Sequence, residues 1–279
     1  MRSIAALIAT RDRPDLLVER AAASVFQQTL RPDKLVVVND GAPLRASALD
    51  ALTGAAERLS VELVMLSNMR AQGAAGAWNT GLSYLQSCEH HGFVAILDDD
   101  DAWDADHLEA NFCAGYGAQI VISGLRMVVA GRVVERPLIS ALTPQDFLVG
   151  NPGWQGSNTF IDLALLLDVG GFREGLPSLN DRDLAYRLLL KAPDACRFTG
   201  RWTSTWFADT PGNLSSPLTH AKRDGLRAFW ALYADAMSPK DQHAFFNRAH
   251  VLFGFSEHEI RVDGVGLPPL GFPTDDSHD

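Results

Sequence analysis

Four short apolar runs constrain what this chain can fold into: residues 3–9 (SIAALIA), 35–38 (LVVV), 61–66 (VELVML) and 93–97 (FVAIL). Each has strand length, is rich in Val, Ile and Leu, and carries almost no polar residue. Such runs suit strands covered on both faces. The segments between them are long enough for crossovers. Asp12 and Pro14 open a helix with Leu16, Leu17, Ala21, Val25 and Phe26 at helical spacing, and residues 73–86 read as another. Strand and helix alternating at this spacing imply an α/β fold with a mostly parallel sheet flanked by helices. Ligands of such sheets bind outside the carboxyl ends of the strands. Thr10 to Arg13, Asn39-Asp40 and Asp98 to Asp101 each follow an apolar run, so three strand ends are expected to converge on one crevice.

The second half is less regular. Residues 120–129 and 132–134 suit a hairpin around Ala130-Gly131, residues 150–158 (GNPGWQGSN) a loop, and residues 162–169 a helix stopped by Gly170-Gly171. Residues 179–190 read as a helix with Asn180 or Asp181 near its start. Residues 219–250 read as one or two amphipathic helices carrying Phe229, Trp230, Leu232, Tyr233, Phe245 and Phe246. The end, LPPLGFPTDDSHD, is Pro-rich and then acidic, and is expected to be a flexible tail. The net charge of −10 disfavours nucleic acid and anionic lipid as partners. No run reaches 18 apolar residues, so no integral membrane span is expected. Three cysteines without a CxxC pair fit a reduced, cytoplasmic setting.

The densest chemistry is FVAILDDDDAW, residues 93–103. Four consecutive carboxylates repel one another, and a hard divalent cation such as Mg²⁺ or Mn²⁺ compensates them. A calcium loop counted from Asp98 fails, because its fifth and sixth positions are Ala102 and Trp103. Two readings remain. One is a phosphatase of the haloacid-dehalogenase type, with Asp98 as nucleophile and Asp100 as acid/base, although that strand should then come first in the fold. The other is a nucleotide-sugar site whose DxD, Asp98 to Asp100, holds a metal against a diphosphate.

Five ordered pieces decide the resemblance: LIATRDRPDLL with VFQQT; LVVVNDGA; Asn68 with GAAGAWNTGL; FVAILDDDDAWDADHLE; and VGGF with LNDRDLAYRLL. Together they resemble a family 2 glycosyltransferase with the glycosyltransferase-A fold over residues 3–215. The resemblance implies a catalytic domain over 1–218, divided into a nucleotide-binding half (1–101) and an acceptor half (102–218). A C-terminal helical extension over 219–262 and a tail over 263–279 follow. It implies inverting transfer of a sugar from a nucleotide diphosphate, UDP-sugar favoured, to a hydroxyl acceptor not yet specified, with Mn²⁺ or Mg²⁺.

Matched residue by residue, it assigns Asp181 as the base. Thr10, Arg11, Asp12, Asp40, Asn79, Asp98 and Asp99 fall to the donor nucleotide, and Asp100, Asp98 and His220 to the metal. Trp154 and Asp183 fall to the acceptor or its support. Each has a structural alternative: Thr10 and Asp181 as helix caps, Asp40 as a turn former, Asn79 and Trp154 as packing, His107 and His220 as structural histidines. The C-terminal helices are candidates to form a homodimer or to cover the acceptor site.

The chain departs from the family pattern at three places. Arg11 stands where an aromatic is usual, Trp78 where an Arg is usual, and Asn180 where Glu precedes the base. These departures keep open a second function, a nucleotide-sugar-binding scaffold without turnover.

Overall fold

The computed structural model describes residues 3–210, 218–262 and 264–274. The expected strands form: β1 (Ser3–Thr10), β2 (Lys34–Asn39), β3 (Glu62–Ser67) and β4 (Gly92–Asp98), all paired in parallel. Their spatial order is β3-β2-β1-β4, so the chain reverses direction across the sheet between β1 and β4. That switch places Ala9 opposite Asp98 and opens a crevice beyond both strand ends.

Beyond β4 the sheet is mixed. A short β5 (Ala102–Trp103) is followed by the hairpin β6 (Ile120–Val129) and β7 (Arg132–Glu135). Its turn has φ of 48° at Ala130 and 70° at Gly131, the left-handed pair that two-residue hairpins require. Then come β8 (Thr159–Asp162) and β9 (Cys196–Phe207), and the order continues β4-β8-β6-β9-β5. One nine-stranded sheet therefore runs through both expected halves. Residue 101 marks no break in that sheet.

Alternate strand residues feed opposite faces. Ala5, Leu7, Val36, Val38, Val94 and Ile96 face one apolar cluster, and Ile4, Ala6, Ile8, Leu35, Val37 and Phe93 face the other. The first face is covered by the helix Ala74–Ser87 and by the later helices. A Cβ on Gly81 would lie 2.3 Å from Leu7 Cδ1, so only glycine lets this helix sit directly on β1.

The helices His220–Tyr233 and Pro239–Phe253 join the same cluster through Leu226, Phe229, Tyr233, Phe245, Phe246 and Ala249. Helices of the 219–262 segment are thus part of the main core, and their aromatic stripe is largely buried inside this chain. The expected loose tail is also corrected over its described part. The Gly271 and Phe272 N–H groups both donate to Gly170 O, and Arg70 donates to Gly271 O and stacks over Phe272. Residues 275–279 lie outside the described residues. Among the described residues, no helix is long and apolar enough to cross a membrane.

Candidate active site

The strand ends and the later helices enclose a crevice of about 840 Å³. Its floor at the sheet end is the aspartate run. Asp99 is buried; its Oδ2 accepts from Thr10 Oγ1 at 2.7 Å, and its Oδ1 meets Arg13 Nη2 at 2.7 Å. Arg13 Nη1 reaches Asp100 Oδ2 at 2.8 Å, so one guanidinium straddles two carboxylates. Burial pushes the Asp99 carboxyl up to about 6, against the pull of Arg13 and the Thr10 hydroxyl.

Asp101 turns away from the crevice. It accepts from Ser157 Oγ at 2.6 Å and from the Phe207 N–H at 3.0 Å, which ties the run to β9. Burial and the neighbouring Asp100 raise it to about 7. Asp98 faces the crevice. Burial, then the charges of Asp101, Asp100 and Asp99, hold its carboxyl well above the ordinary range. Arg13 pairs with two of the four carboxylates and Arg20 donates to the Asp100 carbonyl, so carboxylates still outnumber the cations at this end.

Thr10, Arg11, Asp12 and Asp40, at the ends of β1 and β2, also line the crevice. Asp40 Oδ2 accepts from the Gly73 N–H at 2.8 Å and Oδ1 from Asn68 Nδ2 at 2.5 Å, so it holds the loop that leads into the helix Ala74–Ser87. Asp12, at φ 55°, accepts from the Ala42 N–H and joins the ends of β1 and β2. Arg11 remains half exposed, 4.0 Å from Asp40 Oδ2. Trp78 is buried against Phe172 with ring centroids 4.5 Å apart, and its Nε1 has no hydrogen-bond partner.

The opposite wall is the start of the helix Asn180–Lys191. Leu179 precedes it at φ 70°, a strained entry for a side chain of this size. Asp181 lines the crevice; its Oδ1 accepts from the Arg182 N–H at 2.9 Å and its Oδ2 from Asn151 Nδ2 at 2.7 Å. Burial raises its carboxyl, with Lys222 pulling it back. A buried, hydrogen-bonded carboxylate with a raised proton affinity suits proton abstraction.

Four assigned residues do not face the crevice. Asn79 is fully buried and brackets Phe172, donating to its carbonyl and accepting from its N–H, both at 2.9 Å. Trp154 is a core residue, edge-on to Phe147, with Nε1 donating to Thr159 Oγ1 at 2.6 Å. Asp183 is fully buried between Arg173 at 2.7 Å and Arg187 at 2.6 Å, because it falls on the inner face of its helix. His220 is exposed at the start of its helix and does not line the crevice; Lys222, two residues on, does. His107 is likewise no ligand here. It is buried, stacks on Trp103, and bonds Thr203 Oγ1 at 2.9 Å.

Arg13, Asn151, Trp206, Lys222 and Arg248 line the crevice without having been assigned from sequence. Arg13 stood in a quoted motif. The others sit on elements whose placement no local pattern reveals.

Residues 6–137 match the model of the family described as Glycosyl transferase family 2. Over 92 residues, 33% of this chain, the sequence is 37% identical to the succinoglycan biosynthesis protein ExoW of Rhizobium meliloti (strain 1021). The chain spans about a quarter of that relative's length, 27%. The crystal structure of S. aureus TarS 1–349 in complex with UDP-GlcNAc aligns with a TM-score of 0.63 at 17% identity, covering 92% of this chain and 74% of that one. A longer TarS chain is covered to 44%. The mannosyltransferase PcManGT from Pyrobaculum calidifontis, in complex with GDP-Man and Mn²⁺, aligns with a TM-score of 0.54 at 17% identity, covering 90% and 71% of the two chains. At these identities the structures establish a shared fold, the glycosyltransferase-A fold.

Proposed function

We propose that this chain, whose residues 6–137 match the Glycosyl transferase family 2 model, is a member of that family and moves a sugar from a nucleotide-diphosphate sugar to an acceptor hydroxyl with inversion. A UDP-sugar is the first donor to try. The observation that carries this reading is the convergence on one crevice of Asp98 to Asp100, at the switch between β1 and β4, with Asp181 on the facing helix. Thr10, Arg11, Asp12 and Asp40 form the end that takes the base and ribose.

The donor set suits a divalent cation. Asp98 and Asp100 would hold it through hard carboxylate oxygens, at a place crowded with negative charge and beside the donor diphosphate. Among the described residues, no cluster of three His, Cys, Asp or Glu stands ready to hold an ion unaided. When bound, Mn²⁺ or Mg²⁺ would stabilise the charge developing on the leaving diphosphate. Asp181 takes the proton of the acceptor hydroxyl as that oxygen attacks the anomeric carbon. Asn151 and the Arg182 N–H fix the carboxylate for that transfer. Arg13 holds Asp99 and Asp100 in place.

The test is thermal unfolding with UDP, GDP, dTDP and CMP, each with Mn²⁺, Mg²⁺ or EDTA. A ligand at 100 times its dissociation constant adds about 2.7 kcal/mol, a visible shift. A shift for one nucleoside diphosphate, lost in EDTA and in Asp100→Asn, supports the reading and names the donor class. No shift with any of the four overturns it.

A further inference from the structure

The two ends of the crevice carry opposite charge, and only the acidic end is explained by the donor. At the other end Arg136, Arg182, Lys222 and Arg248 line the wall, Arg136 from the loop after β7 and the others from three different helices. Lys222 is nine-tenths buried on the helix His220–Tyr233, and the nearest aromatic is Phe253, with Nζ 4.8 Å from its ring centre. Among the described residues, Lys222, Arg136 and Arg248 make no ion pair. Arg182 is turned onto carbonyls, donating to Phe147 O at 2.7 Å and Leu148 O at 3.0 Å. Among the described residues, Asp181 is the carboxylate whose charge acts on both Lys222 and Arg182, and burying these two cations against one anion, with Arg136 and Arg248 beside them, is costly unless a ligand supplies the rest.

Its position separates this group from the metal end. The charges that act most on Asp98 are the neighbouring aspartates and Arg13, whereas Lys222 is coupled to Asp181, Arg182 and Arg248. The cations therefore surround the candidate base, where the acceptor must lie.

We propose that this end of the crevice binds a phosphoryl group carried by the acceptor, so that the acceptor is a phosphorylated molecule whose hydroxyl is presented to Asp181. Two arginine forks and an ammonium arriving from separate elements suit a tetrahedral, doubly charged anion with several oxygens better than a single carboxylate. This assignment rests on the transferase reading for the word acceptor, while the anion site itself stands on the cations alone.

The probe is inorganic phosphate, titrated calorimetrically into the whole chain with and without saturating UDP and Mn²⁺, at constant ionic strength. The expected result is saturable phosphate binding that persists when UDP is bound. It should weaken about tenfold or more in Arg248→Gln and in Lys222→Met, while UDP affinity stays within about twofold. Phosphate displaced by UDP, or UDP affinity falling as far as phosphate affinity in these variants, would assign the cations to the donor diphosphate and overturn the proposal. So would the absence of phosphate binding to the unaltered protein. Phosphate binding at this site in a protein that binds none of the four nucleotides would keep the anion site and defeat the transferase reading instead. Arg136→Gln supplies a third, half-exposed position should Lys222→Met fail to fold.

Discussion

Arg13 Nη2 lies 2.7 Å from Asp99 Oδ1, and through that contact the first loop of the chain clamps the acidic end of the fourth strand. The same guanidinium reaches Asp100, so its loss strands two carboxylates at once. Removing one member of a fully buried pair costs about 3–5 kcal/mol, but 33% of the Arg13 side chain is in water. Arg13→Gln is expected to destabilise the metal-free protein by about 2 kcal/mol in chemical denaturation. Added Mn²⁺ should recover part of that loss by replacing the missing charge. An unchanged midpoint would show that the clamp is idle.

Asp181→Asn keeps the shape and the contact with Asn151 but cannot accept a proton. The turnover number is expected to fall by about 10²- to 10⁴-fold, the ordinary contribution of a general base, with UDP binding unaltered. Full turnover in this variant would remove Asp181 from its role.

Asp183 looks in sequence like a partner of Asp181, and it does a different task. It is fully buried between Arg173 and Arg187, and Tyr233 also donates to it. Asp183→Asn should cost about 3–5 kcal/mol of stability, because two arginines then lose their buried counter-charge. Transfer measured well below the lowered melting point should be nearly normal. A stable variant with an acceptor defect would place Asp183 at the substrate after all.

His107 gives the pH prediction. Burial lowers its imidazole from 6.5 to about 3. Above pH 6.5 the ring is neutral in both folded and unfolded chains and costs nothing. Below it the unfolded chain takes up a proton that the folded protein refuses until about 3. Stability is therefore lost as pH falls through that window, by at most about 1.4 kcal/mol per pH unit from this group. His107→Gln should flatten the acid arm of the stability curve relative to the unaltered protein. Parallel curves for the two proteins would contradict it.

The sheet was legible because its strands are continuous apolar runs, and a run such as 93–97 leaves few alternatives. The strand end at Asp98 and the helix start at Asp181 were legible because charged residues at such places break a hydrophobic pattern. What stayed hidden has physical reasons. β8 and β9 mix polar and apolar residues without clean alternation, and their pairing with β4 and β6 is fixed only by long-range contacts. The helix Ala46–Leu59 is built on alanine and exposes most of one side, so its apolar stripe is thin. Asn79 lies between residues that read as donor contacts, yet its amide is spent on the Phe172 backbone. Lys222 and Arg248 share their amphipathic helices with other basic residues, Arg223, Arg227 and Lys240, and only the packing of those helices turns these two toward the crevice.

The strap formed by residues 268–272 has a consequence for how the molecule is made. Gly271 O is held by Arg70, 201 positions earlier, and Gly170 receives two amides from the same strap. A ribosome releases the nucleotide-binding strands long before it releases their fastener. The first strands can pair as they emerge, but the floor beneath the helix Ala74–Ser87 closes only when the last of these residues arrives. Vectorial synthesis thus leaves this half of the protein unfinished until the 201 positions that separate Arg70 from Gly271 have been made.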